Sequence, residues 1–201
     1  MDADIRSSYS ALSDLYIDVC GTLDKVDPED LAFLKKNLGD CDGPVLDVGC
    51  GPGHLTAYLT DLGLVARGID LVPEFVDHAR GNRPDIDFSV ESLHSVEVPD
   101  GSLHGVLAWY SLIHCAPSEV PAALVRLRHA MVDRGVLVIG FFDSAEQIEP
   151  FDHKVLTAYR WPIDEMAAAL VEAGFIEIDR AQRAADTARL HAALAVRAAR
   201  R

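Results

Sequence analysis

"VLDVGCGPGHL", residues 45–55, sets glycines at 49, 51 and 53, directly behind a short apolar run that carries one acid, Asp47. Glycines after a first strand let a ligand approach the backbone where the next helix begins. The dinucleotide pattern is G-x-G-x-x-G, with a pyrophosphate at that helix start. Here the spacing is G-x-G-x-G. Asp47 adds a fixed negative charge that a pyrophosphate would oppose and an ammonium or sulfonium would favour. Pro52 stiffens the loop and removes one N–H donor. The loop therefore suits a zwitterionic or cationic group on a nucleoside. Asp70 closes the next strand, 17 residues after Gly53. An acid there is positioned to accept hydrogen bonds from both ribose hydroxyls.

Outward from this loop, apolar segments and amphipathic segments alternate. "GPVLDVG", "LVARGID", "IDFSVES", "GVLAWYSL" and "GVLVIGFF" read as strands, and "FIEIDR" and "LHAALAVRA" as two closing strands. Helices are expected over 4–20, over 28–38 behind an Asp27 cap, over "GHLTAYLTDLG", over "VPEFVDHARGN", from near Ser118 to Gly135, and over "PIDEMAAALVEAGF". Continuous apolar strands alternating with amphipathic helices imply a doubly wound, mostly parallel sheet covered on both faces. No repeat or low-complexity linker divides the chain, so residues 1–201 read as one domain. The long connection 143–161 follows a strand and is expected to be a substrate-side loop.

The chain has 201 residues, about half of them hydrophobic, and a formal net charge of −14. That balance repels nucleic acid on average. No apolar run approaches the roughly 18–20 residues needed to span a bilayer. "MDADIRSSYS" is neither a secretory signal nor an Arg-rich transit peptide. The four cysteines, Cys20, Cys41, Cys50 and Cys115, form no C-x-x-C pair. Free thiols in a reducing cytoplasm are expected, and no metal site.

"VLDVGCGPGHLTAYL", "GIDLVPEFVDHAR" and "FSVESLHSVEVPDGSLHGVLAWYSLIH" together resemble the class I S-adenosylmethionine-dependent methyltransferases. The likeness is to their small bacterial members that act on small molecules, and it covers roughly residues 40–180. The resemblance implies a seven-stranded sheet with the last strand antiparallel. It implies S-adenosylmethionine as cofactor and S-adenosylhomocysteine as product. By position, Asp47, Gly49, Gly51 and Gly53 would hold the methionine end. Asp70 would take the ribose, and Leu71 would pack on the adenine. Glu91 stands where relatives often carry Asp, and Ser92 and Leu93 would flank the adenine. Trp109 would lie beside the methionine half. Residues 1–40 would fold over the site as a helical lid, with Tyr9, and less directly Arg6, reaching the cofactor.

Methyl transfer from a sulfonium is an in-line displacement, so the enzyme chiefly positions the nucleophile. A base helps where the acceptor is a hydroxyl. In "AWYSLIHCAP", His114 is the leading candidate for base or substrate-orienting group; the alternative is a histidine that bonds a helix end or loop carbonyl. His153, in "FDHKVLTAYRWP", is the other candidate base. Tyr110, His114, Tyr159 and Trp161 are the expected substrate contacts; the last two could instead pack the loop onto the sheet. Cys115 is expected to be a packed thiol.

The expected function is methyl transfer to a small organic acceptor, with oxygen the favoured atom. The rivals are a non-catalytic cofactor-binding protein, a nucleic-acid methyltransferase and a nicotinamide-dependent oxidoreductase. The acidic balance and the lack of an Asn-Pro-Pro-aromatic motif argue against the second. The glycine spacing and Asp47 argue against the third.

Overall fold

The computed structural model describes residues 2–184 and 190–200. Met1, residues 185–189 and Arg201, which the one-domain expectation includes, lie outside them. Helices α1 (Asp2–Ser10), α2 (Ser13–Cys20) and α3 (Pro28–Leu38) precede β1 (Val45–Val48). Then follow α4 (His54–Asp61), β2 (Ala66–Asp70), α5 (Pro73–Asn82), β3 (Asp87–Val90) and β4 (Leu103–Trp109). The chain continues through α6 (Val120–Ala130), β5 (Met131–Asp143), β6 (Glu149–Asp152), β7 (Thr157–Trp161), α7 (Ile163–Glu172), β8 (Phe175–Ala184) and β9 (Leu190–Ala198).

The core sheet runs β3-β2-β1-β4-β5-β9-β8. Its first five strands are parallel, and β9 is antiparallel to both β5 and β8. This is the doubly wound, seven-stranded sheet expected from the sequence. Strand periodicity sorts the core into two layers. Leu46, Val48, Val106, Ala108, Leu137 and Ile139 pack on the face covered by α6 and α7. Val45, Leu107 and Val138 point the other way, against α3 and α4.

Three boundaries differ from the sequence expectation. The segment 4–20 is two helices, because Ser13 Oγ bonds back to the Ser10 carbonyl at 3.1 Å and competes with the helical ladder there. Helix α6 stops at Ala130, five residues before Gly135; Met131 already pairs with Leu103, and Arg134 takes a positive φ of 69° at an irregularity in the ladder. The connection 143–161 is largely a hairpin, β6–β7, and not a loop. It joins the sheet where Phe142 and Asp143 pair with Arg160 and Trp161. The Asp27 cap is present: its side chain accepts from the Glu29 amide at 2.8 Å.

Candidate functional site

The glycine loop joins β1 to α4, and all three glycines have positive φ: 68°, 53° and 84°. Their surroundings separate them. A Cβ on Gly49 would lie 2.5 Å from Ser111 Cβ, and one on Gly53 would lie 2.6 Å from Ala79 Cβ. A Cβ on Gly51 would meet only Tyr16, at 3.9 Å. Gly49 and Gly53 therefore permit close packing of the loop on its neighbours, whereas Gly51 leaves its space open to a ligand. Gly53 does not line the cavity described below.

Asp70 is bound from both sides. Its Oδ2 accepts from Gly51 N at 2.8 Å and its Oδ1 from Val72 N at 2.9 Å. The carboxylate thus fixes the glycine loop to the end of β2 before any ligand arrives. Asp47 is almost fully buried, and its Oδ2 accepts from Thr56 Oγ1 at 2.6 Å. Burial, with a contribution from the Asp70 charge, pushes the Asp47 carboxyl up to about 7. Such a group gains strongly from a cation placed beside it.

A cavity of about 720 Å³ opens at the carboxyl ends of β1, β2 and β4. Asp47, Gly49, Gly51 and Asp70 line it from the loop side. Leu71, Ser92, Leu93 and Trp109 line it from the strand ends. Glu91 does not; it accepts from Ser89 Oγ and faces Arg67 at 3.7 Å. Trp109 lies over Gly140, where any Cβ would come within 2.6 Å of its ring.

Helices α1 and α2 cover the cavity. Helix α1 buries no residue of its own, so polar contacts hold it. Arg6 Nε donates to the Leu71 carbonyl at 2.8 Å, Ser10 Oγ to Glu74 at 2.8 Å and Ser92 Oγ to Asp2 at 2.5 Å. Arg6 is a clamp on the lid and does not line the cavity. Tyr9 does, with its ring edge-on to Tyr16 and Phe75.

Tyr9 OH lies 2.9 Å from His114 Nε2, and His114 Nδ1 lies 2.8 Å from the Thr157 carbonyl. A carbonyl only accepts, so Nδ1 carries the proton and donates. Burial lowers the His114 pKa, which keeps the ring neutral and leaves Nε2 as an acceptor for the Tyr9 hydroxyl. His114 thus makes the loop-carbonyl bond of the second sequence alternative, and its other nitrogen meets Tyr9 at the cavity wall. His153 lines the cavity beside it, ring centroids 5.4 Å apart. Cys115 lines it as a neutral thiol, its pKa pushed up to about 11 by burial.

The far end of the cavity is built by the closing strands. Phe142 on β5 pairs in register with His191 on β9, which pairs with Arg183 on β8, so one cross-strand row faces the space. Tyr110 hangs over it at a φ of 57°, its hydroxyl bonded to His191 Nδ1. Of the expected substrate contacts, Tyr110 and His114 line the cavity and Tyr159 and Trp161 do not. Trp161 is buried in the core under α6 and α7, and Tyr159 packs on that cluster while its amide holds the Ile113 carbonyl at 2.8 Å. These two fix the hairpin to the sheet.

Sequence reasoning missed His54, Phe142, His191 and Arg183, all in the cavity wall; Tyr16, from the expected lid, and Ser111, beside Tyr110, join them there. His54, directly after the last glycine, was the one with a local signal. Ser111 Oγ and His54 Nδ1 are buried with no hydrogen-bond partner among the described residues, and burial holds His54 down to about 4. Among the described residues, no three His, Cys, Asp or Glu side chains are grouped to hold a metal ion.

Residues 45–135 match the family model of a methyltransferase domain. The whole chain superposes on the 1,6-didemethyltoxoflavin-N1-methyltransferase of Burkholderia thailandensis, a structure with bound 1,6-didemethyltoxoflavin and S-adenosylhomocysteine. That TM-score is 0.80 at 23% identity, over 99% of this chain and 87% of that one. The chain has the fold of that methyltransferase, and residues 45–135 match the family's domain model. The magnesium protoporphyrin IX methyltransferase of Synechocystis, with bound S-adenosylmethionine, superposes at a TM-score of 0.67 and 20% identity, over 98% of this chain and 83% of that one. The [4+2]-cyclase SpnF has the same fold, at a TM-score of 0.83 and 16% identity, over 97% and 96% of the two chains. In sequence, the ubiquinone biosynthesis O-methyltransferase of Xanthomonas oryzae is 30% identical over 128 residues, 59% of this chain and 54% of that protein. Its counterpart in Xanthomonas axonopodis is 25% identical over 134 residues, 63% of this chain and 55% of that protein. The chain thus spans about half the length of the curated relatives it matches. The family match ends at residue 135, so Phe142, His153, Arg183 and His191, which line the far end of the cavity, lie beyond it.

Proposed function

We propose that this protein transfers a methyl group from S-adenosylmethionine to a small organic acceptor, with oxygen as the receiving atom. The observation that carries the reading is the cavity at the ends of β1, β2 and β4. It sets the buried Asp47 carboxyl, the open face of Gly51 and the unpartnered Ser111 and His54 polar atoms along one wall. A zwitterionic nucleoside satisfies that set: Asp47 takes its ammonium, Gly51 admits it to the backbone, Asp70 takes its ribose, and Leu71 and Leu93 take its base. The bound cofactor supplies a methyl group already activated on a positive sulfur.

The chain's own residues position the acceptor, exclude water and handle one proton. The lid, residues 1–40, excludes water through Tyr9 and Tyr16. His114 Nε2 receives the acceptor's hydroxyl proton, once Tyr9 yields that position or relays through its own hydroxyl. The Thr157 carbonyl holds the ring in the tautomer this requires and stabilises the cation that forms. The Xanthomonas relatives are named O-methyltransferases, which supports oxygen. The net charge of −14 supports a small molecule over nucleic acid, and four free thiols support the cytoplasm.

Because a [4+2]-cyclase shares this fold, the deciding experiment must detect transfer as well as binding. Methyl-labelled S-adenosylmethionine is incubated with the protein and a host extract split by size. Label in the small-molecule fraction is expected. Label only in macromolecules, or none anywhere, would overturn the proposal.

A further inference from the structure

The acceptor end of the cavity has a chemistry of its own. Phe142 is its centre: the rings of Tyr110, His191 and His153 lie tilted against it at 5.0, 5.5 and 5.7 Å between centroids. Phe151 backs it edge-on at 5.1 Å. Flat rings on several sides select a flat guest. Tyr110 holds a left-handed backbone conformation that is unusual for a bulky residue, and such strain persists only where the surroundings fix it. The bond to His191 and the tilted contact with the Phe142 ring supply that restraint.

Charge narrows the guest further. Six aspartates line the whole cavity, against Lys25 and Arg183 among the described cations. Neither cation is available to an anion. Lys25 faces Asp24 at 3.4 Å, and Arg183 holds Asp30 at 2.5 Å and Asp27 at 3.3 Å. An anionic acceptor would meet carboxylates with no open counter-charge.

Building on the methyltransferase reading above, we infer that the acceptor is a planar aromatic or heteroaromatic molecule without negative charge, received among Tyr110, Phe142 and His191. The Tyr110–His191 pair shapes this subsite, so these two residues and Phe142 determine acceptor specificity.

Three probes of nearly one shape test this: 2-naphthol (flat, uncharged), 2-naphthoate (flat, anionic) and trans-2-decalol (uncharged, not flat). Each is titrated calorimetrically into the full chain saturated with S-adenosylhomocysteine at neutral pH. 2-Naphthol is expected to bind at least about tenfold more tightly than the other two. Phe142→Leu and His191→Leu should each weaken 2-naphthol by about tenfold while S-adenosylhomocysteine affinity holds, which also shows that the variants fold. Equal or tighter binding of the naphthoate or the decalol overturns the inference. So does binding of no probe to a protein that binds S-adenosylhomocysteine. Failure to bind S-adenosylhomocysteine itself overturns the methyltransferase reading, and the acceptor inference with it.

Discussion

The Tyr9 hydroxyl donates to His114 Nε2 at 2.9 Å, joining the lid helix to the strand β4 connection across 105 residues of chain. The His114 nitrogen proposed to take the acceptor's proton is thus occupied by the Tyr9 hydroxyl. His114→Gln is expected to slow turnover about 100-fold or more with S-adenosylhomocysteine affinity unchanged. A rate within a few-fold of wild type would return His114 to a purely structural role.

Tyr9→Phe separates the two partners. Donation by Tyr9 favours the neutral imidazole, so its loss should raise the His114 pKa and move the acid limb of the kcat profile to higher pH. Comparison of the pH–rate profiles of wild type and variant checks this; an unmoved limb would show that the hydroxyl does not sense the ring during turnover.

Asp47 links cofactor binding to protons. Its carboxyl sits near 7 in the folded protein and near 4 when unfolded, so the folded state binds the extra proton. Its contribution to stability is therefore fully present below about pH 4 and is lost as pH rises through about 7. Asp47→Asn should remove that slope, leaving a melting temperature that falls by roughly 5 °C less than wild type between pH 5 and 8. An ammonium beside Asp47 favours the ionised form, so cofactor binding at pH 6.5 should release protons. Calorimetry in buffers of different ionisation enthalpy measures that release, and none is expected from the Asn variant.

The three glycines should respond differently to alanine. At Gly53 the new methyl would collide with Ala79, so Gly53→Ala should lower the melting temperature by several degrees. At Gly51 the methyl enters open space. Gly51→Ala should cost only about 1 kcal/mol in stability through its positive φ, yet weaken cofactor binding severalfold. Melting curves and calorimetry on both variants decide the matter.

Asp70→Ala removes the acceptors for two backbone amides as well as the proposed ribose contact. Stability and cofactor affinity should fall together, each by about 1–3 kcal/mol. Lost affinity at unchanged stability would mean that the glycine loop does not depend on Asp70.

Much of this was legible along the chain because it depends on local pattern. The glycine spacing, the acid ending β2 and the alternation of apolar strands with amphipathic helices are short-range features, and the core sheet followed from them. Boundaries failed where a side chain intervened: Ser13 broke one expected helix, and Met131 left another to pair with Leu103. Trp161 looked like a pocket residue because aromatic rings serve pockets and cores alike; only its neighbours in the core under α6 and α7 decide which.

By itself, the sequence determined the class of sheet, the loop that opens the cofactor end and the identities of Asp47, Asp70 and His114. Tertiary structure alone decided what surrounds them. Antiparallel insertion of β9 between β5 and β8 brings Phe142, His191 and Arg183 into one row from positions up to 49 residues apart. The lid likewise reaches His114 from the far end of the chain. Such contacts follow from strand register and helix docking, which are set by how many distant surfaces pack at once, and no local spacing encodes them.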